Sequence, residues 1–414
     1  MMKVKTAVLL IAAACAVLPA CNKIDPGTPG KVEAAELVPI ELTEVEQAVN
    51  VASNAFGLKL FRELQEEGKN MAISPLSISL ALSMAAEGAD GDTYAEMARV
   101  LGWGDAGKEE VGAYYKKMID GLKTADRNVL FTSANSCWMA KDFSVKPDYM
   151  KALTDYYAAD AASVDFSLPK TYDEINRWCS DKTDGKIPTI LDNQSPDYRM
   201  VLINALLFKA PWAVTWTVKP GRRFNVEAGA RYNSKKDYLY VEDEELSYKA
   251  NEDFEYVGIP YGNGAYKMDI IFPKERKSLS GVLAGLKDDY YYGAERAKVT
   301  LYLPKWSEAF KAADELLDAL KKLGLRLPFS PAADFSGISE EPLLINKIIH
   351  KTQVDVTETG TEFAAATALT MVLGSANPRE PELKRVTVDL NRPFLYVIRE
   401  TTSGAILLMG AIKQ

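Results

Sequence analysis

The side chains that most often carry out chemistry in proteins are scarce in this chain. There is one histidine, His350, and there are four cysteines. The cysteines are Cys15, Cys21, Cys137 and Cys179. A single histidine excludes a multi-histidine metal site, and the placement of the cysteines excludes a zinc site made of four thiolates. The apolar run 343–349 leads directly into His350, which favours a hydrogen-bonded core histidine over a general base.

The ligand-binding motifs that the chain contains are incomplete. Residues 102–108 have the spacing of a phosphate-binding loop, but Glu109 stands where Ser or Thr should hold magnesium. The acidic run 242–245 is interpreted as a solvated surface. Lys and Arg number 49 against 57 Asp and Glu, a net charge of −8, which does not favour binding to nucleic acid. We therefore expect no metal, no cofactor and no enzymatic activity.

The N-terminus has the pattern of a processing and anchoring segment. Lys3 and Lys5 precede a short apolar run that ends in Leu18-Pro-Ala-Cys21, which resembles a bacterial lipoprotein signal. We expect residues 1–20 to be a lipoprotein signal peptide and Cys21 to be lipidated; Pro19 is unusual there, so plain secretory cleavage is the alternative. Residues 21–44 are predicted to be a flexible acidic tether. The protein would be exported and held at the bacterial cell envelope or surface by the lipid at Cys21, its only link to a membrane, or released extracellularly.

A long stretch near the C-terminus also requires an explanation. Residues 357–385 begin with a Thr- and Ala-rich half that is neither charged like a linker nor patterned like a helix. Loops of this length without secondary structure are uncommon in compact domains and are usually functional. This stretch is therefore the first candidate for a functional segment.

The elements around it predict an α+β protein. Helical spacing begins near Val45, Ser74-Pro75 marks the start of a second helix, and Thr93 with Glu96 suggests a capping box. Further helices are predicted at 109–123, 147–158, 171–182 and 308–323. Strands are predicted at 201–208, 267–272, 298–303, 343–349, 394–399 and 405–412, the last two forming a hairpin. Because there is no internal repeat or convincing linker, residues 45–414 are predicted to form one domain.

Six segments of this domain resemble the serpin family when they are taken in order. They are Asn70–Ile78, Gly88–Thr93, Ile175–Ile187, Asn204–Trp212, His350-Lys351, and Arg392–Phe394 with Leu408–Gly410. The resemblance implies a serpin fold of three β-sheets and about nine helices with an exposed reactive-centre loop at about 357–385. It also implies a polar cluster where the central strands part, formed by Ser74, Ser77, Asn204 and His350. Trp212 is expected at the breach, the top of the main sheet.

The same resemblance implies a function for the loop. In inhibitory members a target protease cleaves the loop, stays attached through an ester, and is deformed when the loop inserts into the main sheet. The hinge is predicted to be Glu358, Gly360, Thr361, Glu362, Phe363, Ala364, Ala365 and Ala366. By strand alternation Thr361 and Phe363 share one face and Glu362 lies on the other, and the resemblance implies that the Thr361 face points inward. Phe363 departs from the family, which favours a small residue there.

The family spacing counted from Glu358 places the scissile bond between Gly374 and Ser375, with Leu373-Gly374 as the competing bond. These residues suit elastase-like, subtilisin-like or papain-like proteases. We expect a suicide inhibitor of such proteases that is a monomer. The alternative is a non-inhibitory serpin that acts as a binding or carrier protein or is merely cut as a substrate, a reading that Phe363 supports.

Overall fold

Helices and strands alternate irregularly along the computed structural model, which describes residues 36–142, 144–192, 194–226, 234–345, 348–361 and 382–414. The α-helices in these residues are α1 (Glu44–Glu63), α2 (Pro75–Glu87), α3 (Gly91–Leu101), α4 (Lys108–Thr124), α5 (Pro147–Tyr157), α6 (Pro169–Lys182), α7 (Leu279–Gly285) and α8 (Asp314–Lys322). The strands up to β8 are β1 (Met71–Ile73), β2 (Leu130–Ala140), β3 (Ala159–Val164), β4 (Met200–Pro211), β5 (Thr217–Phe224), β6 (Ser234–Ala250), β7 (Phe254–Tyr261) and β8 (Tyr266–Pro273). The remaining strands are β9 (Glu295–Pro304), β10 (Trp306–Ala312), β11 (His350–Val356), β12 (Gly360–Thr361), β13 (Arg385–Asp389), β14 (Phe394–Glu400) and β15 (Ile406–Ile412).

The strands form two sheets in the described residues. One has six strands in the order β10-β11-β12-β4-β2-β3, and the other has nine, in the order β1-β15-β14-β8-β7-β6-β9-β13 with β5 paired to β6. Three sheets were expected. The long strand β6 accounts for the difference, because its first half pairs with β5 and its last residues pair with β7, which joins two groups of strands into one sheet. The α+β class is as predicted.

Local sequence signals explain where the first helices begin. Thr43 and Glu46 cap α1 reciprocally, and the Ser74 hydroxyl accepts from the Ser77 backbone at 3.1 Å to cap α2, whose first residue is Pro75. The capping box predicted at Thr93 is wrong, since α3 begins at Gly91. The Thr93 hydroxyl is buried instead and accepts from the backbone N–H of Asp334 at 2.8 Å.

Two other predicted elements differ from the structure. The first part of the predicted helix 308–323 is strand β10, whose side chains alternate in burial and whose seven residues all pair with β11; only the second part is helical, as α8. The predicted strand 343–349 is not a strand among its described residues. Its apolar side chains pack against the core without a ladder partner, and the strand begins only at His350. Side-chain hydrophobicity alone could not distinguish these cases.

Candidate functional site

The six-stranded sheet is parted between its two central long strands, β4 and β11. In the strand order only the two-residue strand β12 lies between them. Thr361 pairs with Val356 on one side and with Ala210 on the other, and Gly360 pairs with Pro211. We call the space between β4 and β11 the seam. Gly360 and Thr361 thus form a short strand at one end of the seam.

Gly360 occupies a position that no other residue could take unchanged. Its φ is +156°, and a Cβ atom placed on it would lie 2.1 Å from the carbonyl oxygen of Ala210 and 2.9 Å from Cα of Pro211. Both of these atoms belong to the backbone of β4, so they cannot move aside as a flexible side chain could. Close approach to β4 therefore explains why a glycine stands at this position of the predicted hinge.

Aromatic and charged groups fasten the hinge at this end of the seam. Trp212 stacks on Tyr261 with ring centroids 4.3 Å apart, and its indole N–H donates to the carbonyl of Thr357 at 2.8 Å. The hydroxyl groups of Tyr261 and Thr361 are 2.6 Å apart. Four of the residues predicted from the sequence, Trp212, Glu358, Gly360 and Thr361, therefore meet here.

Glu358 is held by a partner that the sequence did not indicate. Its carboxylate accepts from the Lys305 ammonium group at 2.5 Å, and this hydrogen bond lowers the pKa of Glu358. Lys305 follows β9 and Tyr261 ends β7, so both lie far from the hinge in the chain. No local pattern marks either residue, because each acts only through the tertiary fold.

The predicted polar cluster is formed by three of its four members. The Ser74 backbone N–H donates to Nε2 of His350 at 3.0 Å. The Ser74 hydroxyl donates to the carbonyl of Leu407 at 2.6 Å and accepts from the backbone N–H of Ser77. Asn204 is placed differently from the prediction. Its amide donates to Asn135 at 2.5 Å and to Ser133 at 3.2 Å, because β4 pairs with β2 at this level.

His350 is a core residue in this arrangement. Only 5% of its surface is exposed, and burial lowers its pKa to about 4. The imidazole is therefore neutral at pH 7, and Nε2 is occupied by the Ser74 N–H. This geometry agrees with the sequence interpretation of a hydrogen-bonded core histidine.

Two cavities of different size lie along β4. A cavity of about 20 Å³ borders Thr361 at one end and Ser77 and His350 at the other. A cavity of about 350 Å³ lies at the start of β4 and has apolar walls from α2 and the segment 342–349. The first volume holds about one water molecule, so a side chain could enter it only if the strands separate.

The segment 183–192, which we call the strap, crosses the seam after α6. On one side Asp184 pairs with Lys209 of β4. On the other side Lys186 pairs with Asp355 of β11 at 2.7 Å, and Lys351 of β11 reaches both the carbonyl of Thr189 and the carboxylate of Asp192. Lys311 of β10 also pairs with Asp192. The strap is therefore attached to strands on both sides of the seam.

The two cysteines of the described chain are free and buried. Burial raises the pKa of both Cys137 and Cys179 to about 12, so neither is a reactive thiolate at neutral pH. Among the described residues there is no group of three His, Cys, Asp or Glu side chains that could hold a metal ion. Nor does the described part contain a helix long and apolar enough to cross a membrane.

Several predicted site residues lie outside the described residues. They are Cys21, Glu362, Phe363, Ala364, Ala365, Ala366, Leu373, Gly374 and Ser375. Their roles stay predictions. All of these except Cys21 lie between Thr361, where the described chain stops, and Glu382, where it resumes.

Comparison with known proteins supports the assignment of the fold. A family model described as Serpin (serine protease inhibitor) matches residues 51–414. An uncharacterized serpin-like protein of Thermococcus kodakarensis is 33% identical over 89% of this chain and 86% of its own, and Iripin-2 of Ixodes ricinus is 31% identical over 89% and 94%.

A solved structure shows the same architecture. The native state of tengpin, a thermophilic serpin, superposes with a TM-score of 0.79 and 29% identity over 92% of this chain and 97% of that one. The parted six-stranded sheet, the glycine-dependent hinge and these similarities lead to one conclusion: the chain belongs to the serpin family.

Proposed function

We propose that this protein is a suicide-substrate inhibitor of serine endopeptidases, and of cysteine endopeptidases as a further option, with elastase-like or subtilisin-like targets. The observation that carries the proposal is β12. Thr361 already pairs with both β4 and β11, and Gly360 pairs with β4, so a longer strand needs only to extend from them. The family match supports the proposal, because serpins are mostly protease inhibitors rather than catalysts.

The proposed reaction uses the protease's own chemistry. The hydroxyl of its serine attacks the carbonyl carbon of Gly374, or of Leu373 if the competing bond is cut. The peptide C–N bond then breaks, the leaving amine takes the proton, and an ester joins the two proteins. Movement of residues 362–374 into the seam would carry the attached protease away from Ser375 and prevent water from completing hydrolysis.

The described walls of the seam suit an added strand. The hydroxyl of Ser77 is buried at the seam without a hydrogen-bond partner, and the larger cavity at the start of β4 is lined mainly by apolar side chains. On the sequence alternation, Leu369 and Met371 would face this larger cavity. Burial of such side chains is the term that can make insertion favourable, since the ordering entropy of the loop opposes its new hydrogen bonds.

Mixing the protein with elastase or subtilisin and separating the products by denaturing gel electrophoresis tests the proposal. We expect a band that contains both proteins and survives denaturant. Thr361→Arg should abolish that band and leave only loop cleavage, because a charge would be forced beside buried Tyr261. If cleavage leaves the protease fully active with the wild type as well, the inhibitor proposal is wrong.

The second candidate is a non-inhibitory serpin, a binding protein or a mere substrate. The specific observation in its favour is the small volume beside Thr361, about 20 Å³, which lies where the inward-facing Phe363 is expected to follow. If the strands do not separate fast enough for this phenylalanine, the protease would complete hydrolysis. The same gel distinguishes the two candidates.

We further propose that the mature chain is lipid-anchored at the cell envelope through Cys21 and is otherwise monomeric. Support comes only from the sequence of residues 1–21 and the tether after them. Metabolic labelling with a fatty acid should mark the wild type and not Cys21→Ala, which should be released from the membrane fraction. An unlabelled wild type would favour plain secretory cleavage.

A further inference from the structure

The larger cavity, at the start of β4, has the form of a site for a small molecule. Its volume is about 350 Å³, within the range of about 300–1,000 Å³ that is usual for such sites. An apolar cavity of about 150 Å³ can already bind benzene. Because a CH₂ group occupies nearly the volume of a water molecule, about 30 Å³, the larger cavity can hold a chain of about ten carbon atoms.

The walls of the larger cavity are mainly aliphatic. They come from Ala81, Leu82 and Ala85 of α2, from 200–203 of β4, and from 342–345 on the opposite side. Phe335 and Tyr198 are the aromatic residues among its described lining. A flat aromatic ligand would gain from stacking against several rings, and these walls provide few. An aliphatic chain therefore suits the cavity better than a flat ring system.

Small side chains on α2 create this space. The helix carries Leu76, Ile78 and Leu80 elsewhere in the core. Ala81 and Ala85, one helical turn apart, line the cavity instead. A leucine at either alanine would fill part of the volume and bury more apolar surface. The sequence therefore keeps this volume open at a cost in stability.

The strap forms a side of the larger cavity that is fixed in place. Its residues Ile190 and Leu191 line the cavity. Their backbone N–H groups donate to Oδ1 of Asn176 on α6 at 2.8 and 2.9 Å, and Nδ2 of Asn176 donates to the carbonyl of Leu191 at 3.0 Å. Because this wall is ordered before a ligand arrives, binding loses less conformational entropy there.

The polar part of the described lining is the segment 197–199. Tyr198 packs against Phe166, with ring centroids 5.7 Å apart, so the charged groups on this side are the exposed Asp197 and Arg199. Within the described residues no carboxylate forms an ion pair with Arg199. Its guanidinium is weakly hydrated and ends a long apolar stem, whereas the short side chain of Asp197 keeps its carboxylate in water. This side of the cavity therefore favours an anionic head group.

We propose that the larger cavity of the uncut chain binds a medium-chain aliphatic carboxylic acid. The tail lies between α2 and the residues 342–345, and the carboxylate lies at Arg199. A ligand of this size with one exposed ionic contact should have a dissociation constant on the order of 10–100 μM. Binding does not depend on the proposed function, since it requires neither a protease nor cleavage of the loop.

The ligand has a consequence for loop insertion, and this consequence alone rests on the proposed function. After cleavage Leu369 and Met371 are expected to enter the same cavity, so the ligand and the inserted strand exclude each other. A ligand that binds only the uncut form stabilises that form by mass action. The supply of such acids would therefore regulate how readily the loop inserts.

Equilibrium dialysis of the uncut full chain with radiolabelled decanoate, decanol and decylammonium tests the site and its head group. We expect decanoate to bind saturably, about three- to five-fold tighter than decanol, because Arg199 adds one exposed ionic contact. Arg199→Gln should remove this preference and Asp197→Asn should increase it. No saturable binding of decanoate would overturn the site. Equal affinities for decanoate and decanol, or tighter binding of decylammonium, would overturn the anionic head group.

A matched control separates the local cation from overall charge. Arg177 is exposed on α6 and is not among the described residues that line the cavity. Arg177→Gln changes the net charge by the same amount as Arg199→Gln, and we expect it to keep the wild-type preference for decanoate. An equal loss of that preference in both variants would overturn the role of Arg199.

Filling the cavity from α2 tests where the tail lies. Ala85→Leu should weaken the binding of decanoate at least about ten-fold while Tm stays the same or rises. Ala95→Leu, at an exposed position of α3, should bind decanoate as the wild type does. If Ala85→Leu is folded and binds as tightly as the wild type, the tail does not lie in this cavity.

A decanoate analogue that carries a diazirine locates the site without any substitution. Irradiation should join it to peptides that contain 197–203 or 342–345, and excess decanoate should prevent this labelling. Labelling confined to other peptides would overturn the proposal even if the acid binds.

The effect on insertion has a separate measurement. Decanoate should bind about ten-fold more weakly after the loop is cleaved, because the inserted strand occupies the cavity. Unchanged binding by the cleaved chain would overturn the regulation of insertion. Since the other measurements use no protease, failure of the inhibitor proposal is distinguishable from failure of the ligand site.

Discussion

At Gly360 the hinge backbone lies against the backbone of β4, and a methyl group there would meet Ala210 at 2.1 Å. We expect Gly360→Ala to push β12 out of the seam, so that a severalfold larger excess of inhibitor is needed to stop one protease molecule. Titration of residual protease activity measures this stoichiometry. Gly285→Ala is the matched control, because a Cβ there meets nothing within 4 Å. Equal stoichiometries for both variants would show that β12 has no part in insertion.

His350 gives a residue-scale prediction for pH. Its pKa is about 4 when folded and 6.5 when exposed, so below pH 6.5 the unfolded chain binds the proton more readily. Stability from the neutral imidazole is complete above pH 6.5 and is lost as pH falls to about 4. The loss is on the order of 3 kcal/mol. Thermal unfolding of the wild type and His350→Gln between pH 4 and 7 should show a shallower decline in the variant; parallel curves would contradict this.

Among the elements, the strap is the one that must move if a strand enters the seam. Its ion pairs with β4, β10 and β11 hold it across the gap. Asp192→Asn removes one ion-pair partner each of Lys311 and Lys351, so we expect faster insertion and a lower stoichiometry of inhibition, with little change in Tm because exposed ion pairs contribute about 0–1 kcal/mol.

The control for the strap removes an ion pair elsewhere. Asp155→Asn breaks the pair with Lys151 on α5 and should leave the stoichiometry unchanged. Measurements at low and high salt extend the test, because salt should bring the wild type towards Asp192→Asn. If both variants behave like the wild type at every salt concentration, the strap does not limit insertion.

At the scale of the whole molecule, the proposed inhibitor stores instability in its parted sheet. Proteolytic cleavage of the loop should let residues beyond Thr361 pair with β4 and β11, and Tm should then rise rather than fall. Differential scanning calorimetry before and after cleavage measures the change. Thr361→Arg should remove the rise; an unchanged Tm in the cleaved wild type would mean that the loop does not insert.

Sequence patterns predicted the regular elements better than the contacts between them. The hairpin of β14 and β15 was predicted because both strands are continuously apolar, and the structure buries all their residues. The helix predicted over 308–323 was wrong in its first half, where pairing with β11 determines the strand. At the site, hinge residues were identified by resemblance, whereas Lys305 and Tyr261 were not, since only tertiary folding brings them to Glu358 and Thr361.

Cys179 offers a natural reporter for the motion that the strap implies. It is fully buried on α6, which packs on β2 and β4 and continues into the strap. Lifting the strap would loosen the end of α6 and briefly uncover this sulfur. A thiol-reactive dye should therefore label Cys179 rapidly during the encounter with protease and hardly at all before it. The time course of labelling would then report when the strand enters the seam.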